Sequence, residues 1–181
     1  MRGRTSSPTA PRGPSPMVDG GRGSAASRWT RAALVAAAAL GLVHAAFSLY
    51  WALGGDWLLV TLGARIVSDF GDQRWLLFPV AAVKAVFAVL PVWLASRGWP
   101  WRLFSRLVCW LGAVVLAVWG GVNTVVGNLV LAGVVAPSGG FDRPGMIGHA
   151  WLWDPLFLAW GLLLAVGLLG TRSRRPRAEQ R

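Results

Sequence analysis

In the fourth apolar stretch of the chain, GHAWLWDPLFLAWGLLLAVGLLG (residues 148–170), an acid, Asp154, stands between Trp153 and Pro155. His44 lies near the middle of the first apolar stretch and Lys84 near the middle of the second, while the third carries Asn123 and Asn128. Ionisable and amide side chains are costly in hydrocarbon, so they turn toward a bundle interior and partner one another. A histidine, a lysine and a carboxylate gathered there have two chemical uses: they pass protons, or they hold a polar head group. Each also has a plainer use. Asparagines hydrogen-bond between packed helices, His44 needs only a neighbouring helix as partner, and Asp154 before Pro155 has the form of an N-cap followed by proline at the first helical position.

Lys84 stands out as the one lysine among 18 basic residues. At ~1.5 Å per residue, Asp154 falls about 9 Å outward of the middle of its span, and a lysine reaches toward the interface by roughly its own length. The two heights coincide, which predicts an ion pair between Lys84 and Asp154. On the first span His44, Ser48 and Trp51 fall at i, i+4 and i+7, one helical face. On the third, Gly120, Asn123 and Gly127 form one stripe and Gly121, Thr124 and Asn128 another, with the glycines permitting close helix approach. The expected site is therefore an outward-facing pocket lined by His44, Trp51, Lys84, Asn123, Asn128, Trp151 and Asp154.

The elements that must position these residues follow from composition. Of 181 residues, 55% are hydrophobic and 14% charged, and four stretches approach or exceed the ~20 apolar residues that a spanning helix requires. An all-α membrane protein with four transmembrane helices is expected, spanning about 31–53, 76–96, 103–132 and 149–170. Residues 1–27, rich in Pro, Ser, Gly and Arg, are expected to be a disordered basic tail, with Met17 a second candidate start, and 172–181 a second basic tail. The rival reading of the first span as a cleaved signal, with Val43-His44-Ala45 as the cleavage site, is disfavoured because apolar residues continue through FSLYWAL to Leu53.

Arginines cluster before the first span, between the second and third (Arg97, Arg102, Arg106) and after the fourth. The other two connections hold Arg65, Arg74 and Arg143 beside Asp56, Asp69, Asp72 and Asp142. The positive-inside rule then places both termini in the cytoplasm. Such a distribution over tails and one short loop, rather than over a folded face, argues against nucleic acid as a partner. The choice of arginine over lysine, together with abundant Ala, Gly and Pro, fits a GC-rich bacterial genome and a multi-pass protein of the cytoplasmic (inner) membrane.

In the first outer connection Leu58, Leu62, Ile66 and Phe70 recur every four residues, with Trp57 and Trp75 at its ends. This spacing suits either a short helix lying in the membrane interface or a structured loop.

At YWALGGDW (50–57) and GHAWLWDPLFLAWG (148–161) the chain resembles an uncharacterised family of small bacterial four-helix membrane proteins, domain of unknown function 3995, over about residues 34–169. The resemblance implies fold and membrane location only, because the family brings no activity, cofactor or catalytic residue with it.

Two function classes stay open. One is a binding or structural bundle whose pocket takes a lipid or small hydrophobic molecule, a reading that suits a chain with 12 tryptophans. The other is a proton-coupled transporter or membrane enzyme subunit using His44, Lys84 and Asp154. Neither HExxH nor GxSxG occurs, and the single cysteine, Cys109, forms no CxxC centre. No catalytic residue, metal site or cofactor is expected. The partners expected are the bilayer, such a ligand, and a second copy or partner subunit.

Overall fold

The computed structural model describes residues 20–171. They form six α-helices: α1 (Gly20–Ala52), α2 (Ala64–Phe70), α3 (Leu77–Ser96), α4 (Arg102–Leu131), α5 (Arg143–Gly148) and α6 (Asp154–Gly170). No strand occurs among the described residues. The segments Ser27–Ala52, Gly71–Ser96, Arg102–Leu131 and Arg143–Gly170 are long and apolar enough to cross a membrane. The first helix begins at Gly20, ahead of the boundary expected near residue 28. Once the long apolar helix is nucleated, each further residue adds a hydrogen bond at little cost, so it propagates into the Gly- and Ser-containing segment. The rest of the expected N-terminal tail and the tail from 172 lie outside the described residues.

The distribution of side chains is that of a protein in lipid. Val83, Val86, Leu107, Leu111, Val118 and Val122 are all more than half exposed, a pattern water would not tolerate over so wide a surface. Helix contact is made instead by small residues. On α1, Ala33, Ala37, Gly41 and Ala45 are buried at intervals of four, and a methyl group added at Gly41 would meet the Trp160 ring and Ala88. Between α4 and α6 the backbones themselves touch. A Cβ at Gly120 would lie 2.4 Å from the Leu158 nitrogen, and one at Gly161 would lie 2.5 Å from that of Ala117. Cys109 is buried in the apolar core and serves as a small apolar residue.

Packing runs in the order α3, α1, α6, α4. Although α3 and α4 are consecutive in the chain, they scarcely touch, so the bundle is an open arc rather than a closed square.

The connections between α1 and α3 and between α4 and α6 close one end of this arc. The amphipathic spacing in 57–70 does not become one helix: a tight turn at Leu59–Leu62 is separated from α2 by Gly63, whose φ of 103° breaks the run. A glycine is required there, since few other residues adopt that conformation, and Gly145 packs against it so closely that a Cβ on Gly145 would stand 2.5 Å from the Gly63 Cα. The Asp142 carboxylate binds both segments, accepting from the N–H groups of Ala64 (3.2 Å) and Gly145 (2.9 Å). Asp142 is thus the N-cap of α5 and a tie between these two connections.

Candidate functional site

Pro155 sets the geometry of the site. It has no N–H to give to the preceding turn and its ring crowds the carbonyls behind it, and the backbone widens there into a π turn, His149–Trp153, in which the Asp154 N–H donates to the His149 carbonyl. Such turns concentrate at functional positions. Asp154 is therefore not an N-cap. It lies within a helical run continuous from Arg143 to Gly170.

The wider turn brings residues five apart into register, and His149 Nδ1 lies 3.1 Å from Asp154 Oδ2. The Asp154 side chain is 2% exposed and that of His149 40%. The other ring nitrogen of His149 lies 3.4 Å from the Leu62 carbonyl, so the connection between α1 and α2 reaches onto the pair. Both neighbours are acceptors, and an imidazolium, with an N–H on each nitrogen, satisfies both. Thr61 of the same loop accepts from Trp153 Nε1 at 2.9 Å.

Beside this pair α1 presents His44 and Ser48, both buried. His44 Nε2 donates to the Trp153 carbonyl (3.2 Å), and its ring stacks on Phe157 with centroids 3.9 Å apart. Ser48 Oγ donates to the His44 carbonyl (3.1 Å) and accepts from Lys84 Nζ at 2.9 Å. The Lys84 ammonium also lies 5.6 Å from the centre of the Phe157 ring, within reach of a cation–π attraction. Trp51 is buried edge-on to Trp153, centroids 5.2 Å apart, and its Nε1 donates to the Trp57 carbonyl at 2.9 Å.

The expected ion pair between Lys84 and Asp154 is not formed. Among the described residues the ion pairs are Arg65 with Asp69, Arg74 with Asp56, and His149 with Asp154. Asp154 takes its counter-charge from its own helix, which leaves the partly buried Lys84 with a neutral hydroxyl and an aromatic face.

Of the seven residues expected to share a pocket, His44 and Lys84 are joined through Ser48 and Trp51 meets them through Trp153, while Asp154 is buried beside them on α6 with His149 as its side-chain partner. Asn128 and Trp151 do not join them. Trp151 is 70% exposed, and its Nε1 donates to Asn128 Oδ1 on the lipid-facing side (3.0 Å), where the Asn128 amide also donates to the Thr124 carbonyl. Asn123 is half-buried on α4. His149, Ser48, Thr61, Trp153 and Phe157 belong to the site in addition. Ser48 shares the His44 face and was visible by spacing, whereas His149 falls on another face from Asp154 at α-helical periodicity and nothing in the sequence pairs the two.

Fold and side-chain distribution define a four-span, all-α integral membrane protein with a polar and aromatic cluster toward one end. The chain belongs to the DUF3995 family, described as proteins of unknown function, whose family model matches residues 41–164. The match includes every residue of the cluster and leaves out both basic ends. Comparison with curated proteins and with solved structures produced no match.

Proposed function

We propose that this protein is a binding bundle that holds a lipid or small amphiphile through an anionic or strongly accepting head group at Lys84. The supporting observation is the state of that ammonium, which lies within a span and, among the described residues, has only Ser48 and the Phe157 face as partners. An uncompensated charge within hydrocarbon is costly and marks a ligand or ion path by default. The loose contact between α3 and α4 offers lateral access from the lipid, and the outer loop above His149 and Trp153 caps the cluster.

Thermal melting in neutral detergent tests this reading with amphiphiles of equal chain length bearing carboxylate, phosphate, quinone or uncharged heads. An anionic or accepting head should raise the melting temperature of the wild type and leave Lys84→Met unmoved. Equal shifts in both proteins would refute a head-group role for Lys84.

A second reading is favoured by the acid–imidazole pair at the π turn, an arrangement suited to carrying protons in a coupled transporter. Proteoliposomes with an internal pH dye distinguish the two: proton flux abolished by Asp154→Asn would support the transporter, and its absence the binding bundle.

We infer a bacterial cytoplasmic membrane location with both termini inside, from the arginine distribution. Reporter fusions after Arg172 and near Arg97 should report cytoplasm, and those near Asp69 and Gly140 the exterior. An external C-terminus would overturn this orientation.

A further inference from the structure

At the opposite, arginine-rich end of the bundle a cavity of about 880 Å³ opens between the start of α1, the end of α3 and the start of α4. Its size falls within the ~300–1,000 Å³ of ordinary ligand sites. Two arginines line it, Arg31 from α1 and Arg102 from α4, and neither enters an ion pair among the described residues. The rest of the wall is divided. Ser27, Thr30, Ser96 and Thr171 make one part polar, while Leu34, Val35, Val92 and Trp99 make the other apolar.

The turn that shapes this cavity is built with care. Gly98, Trp99 and Trp101 all have positive φ, at 72°, 63° and 46°, a conformation that bulky residues rarely adopt. The turn directs the Trp99 ring into the core, where it is 9% exposed and has the Arg106 guanidinium 5.2 Å from its centre. Trp99 thereby forms a wall of the cavity and Arg102 begins α4 at its rim. The free amides at the start of a helix add to the attraction for an anion there.

We propose that this cavity binds an anionic phospholipid of the adjoining leaflet, its phosphate between Arg31 and Arg102 and part of one acyl chain along Leu34, Val35, Val92 and Trp99. The two arginines in the lining call for an anion and the apolar residues for hydrocarbon joined to it. Val35 is 51% exposed on the lipid-facing surface, so a chain can enter from the bilayer. The protein's own C-terminal segment is a poor occupant by charge, since it carries Arg172, Arg174, Arg175, Arg177 and Arg181 against Glu179. This site is separate from Lys84 and does not depend on the function proposed there.

The test is native mass spectrometry of purified full-length protein in neutral detergent, titrated with phosphatidylglycerol or with phosphatidylcholine of the same chains. Wild type should prefer phosphatidylglycerol by roughly thirtyfold, the product of two arginine contacts at a membrane surface. The double variant Arg31→Gln, Arg102→Gln should lose that preference, and Lys84→Met should keep it. Val35→Trp, which leaves both arginines in place and covers the apolar wall, should weaken phosphatidylglycerol binding several-fold, and it decides the matter if the arginine variant fails to fold. Equal binding of the two lipids by wild type, or an unchanged preference in the arginine variant, would overturn the proposal. If inorganic phosphate or glycerol phosphate binds as tightly as phosphatidylglycerol, the site takes a free phosphate and the lipid assignment fails.

Discussion

Replacing His149 by alanine is expected to destabilise the bundle by about 3 kcal/mol, the low end of the cost of stranding one member of a buried ion pair. The partner left behind is Asp154, whose side chain is 2% exposed and whose counter-charge is the His149 imidazole at 3.1 Å. Water reaching the 40% exposed imidazole keeps the loss from being larger. Asp154→Asn alone should cost less, because the His149 ring it leaves behind is 40% exposed and can be solvated. The double variant His149→Ala, Asp154→Asn should be more stable than His149→Ala, and the difference, measured by detergent melting as a double-mutant cycle, should be of order 1 kcal/mol or more. Lys84→Met combined with Asp154→Asn should instead be additive. Coupling between Lys84 and Asp154, with none between His149 and Asp154, would show that the acid is paired across helices.

A larger loss is expected at the contact of α4 with α6. Gly120→Val and Gly161→Val each place a branched side chain where backbone atoms of the other helix already stand, at 2.4 Å from Leu158 N and 2.5 Å from Ala117 N. Overpacking a core commonly costs ~1–3 kcal/mol when side chains can shift. Here the obstacle is main chain, so the helices must separate, and both variants should fail to give a monodisperse folded protein. The neighbouring glycines provide the control. A Cβ at Gly112 meets nothing within 4 Å and one at Gly121 only a Leu158 methyl at 3.6 Å, so Gly112→Ala and Gly121→Ala should melt within a few degrees of wild type. Equal loss at all four positions would mean that glycine there serves helix flexibility rather than close approach.

Apolar length made the four spans legible in the sequence, and the face formed by His44, Ser48 and Trp51 was legible from helical spacing, because both properties are local and periodic. What spacing could not reveal is where periodicity itself changes. Pro155 forces the π turn, and this one event brings His149 beside Asp154, removes Asp154 from Lys84 and turns Trp151 out toward lipid, although at α-helical spacing Trp151 and Asp154 share a face. Gly63 acts similarly on the connection between α1 and α2. The four-residue recurrence of Leu58, Leu62 and Ile66 suits a helix, yet the positive φ of one glycine, Gly63, divides it. The open arc of helices was also beyond reach, since it rests on which small residues meet across space: Gly41 with Trp160 and Ala88, and Gly161 with Ala117.

The most direct measurement on the proposed function is native mass spectrometry of the protein drawn gently from its own membrane, with Lys84→Met prepared in parallel. If Lys84 holds a ligand, the wild type should carry an amphiphile with an anionic or accepting head that is absent or strongly depleted in the variant, while both proteins keep the same fold and the same lipids at Arg31 and Arg102. The same bound species at the same occupancy in Lys84→Met, or a wild type that flies as bare protein under conditions that preserve lipid adducts, would contradict it.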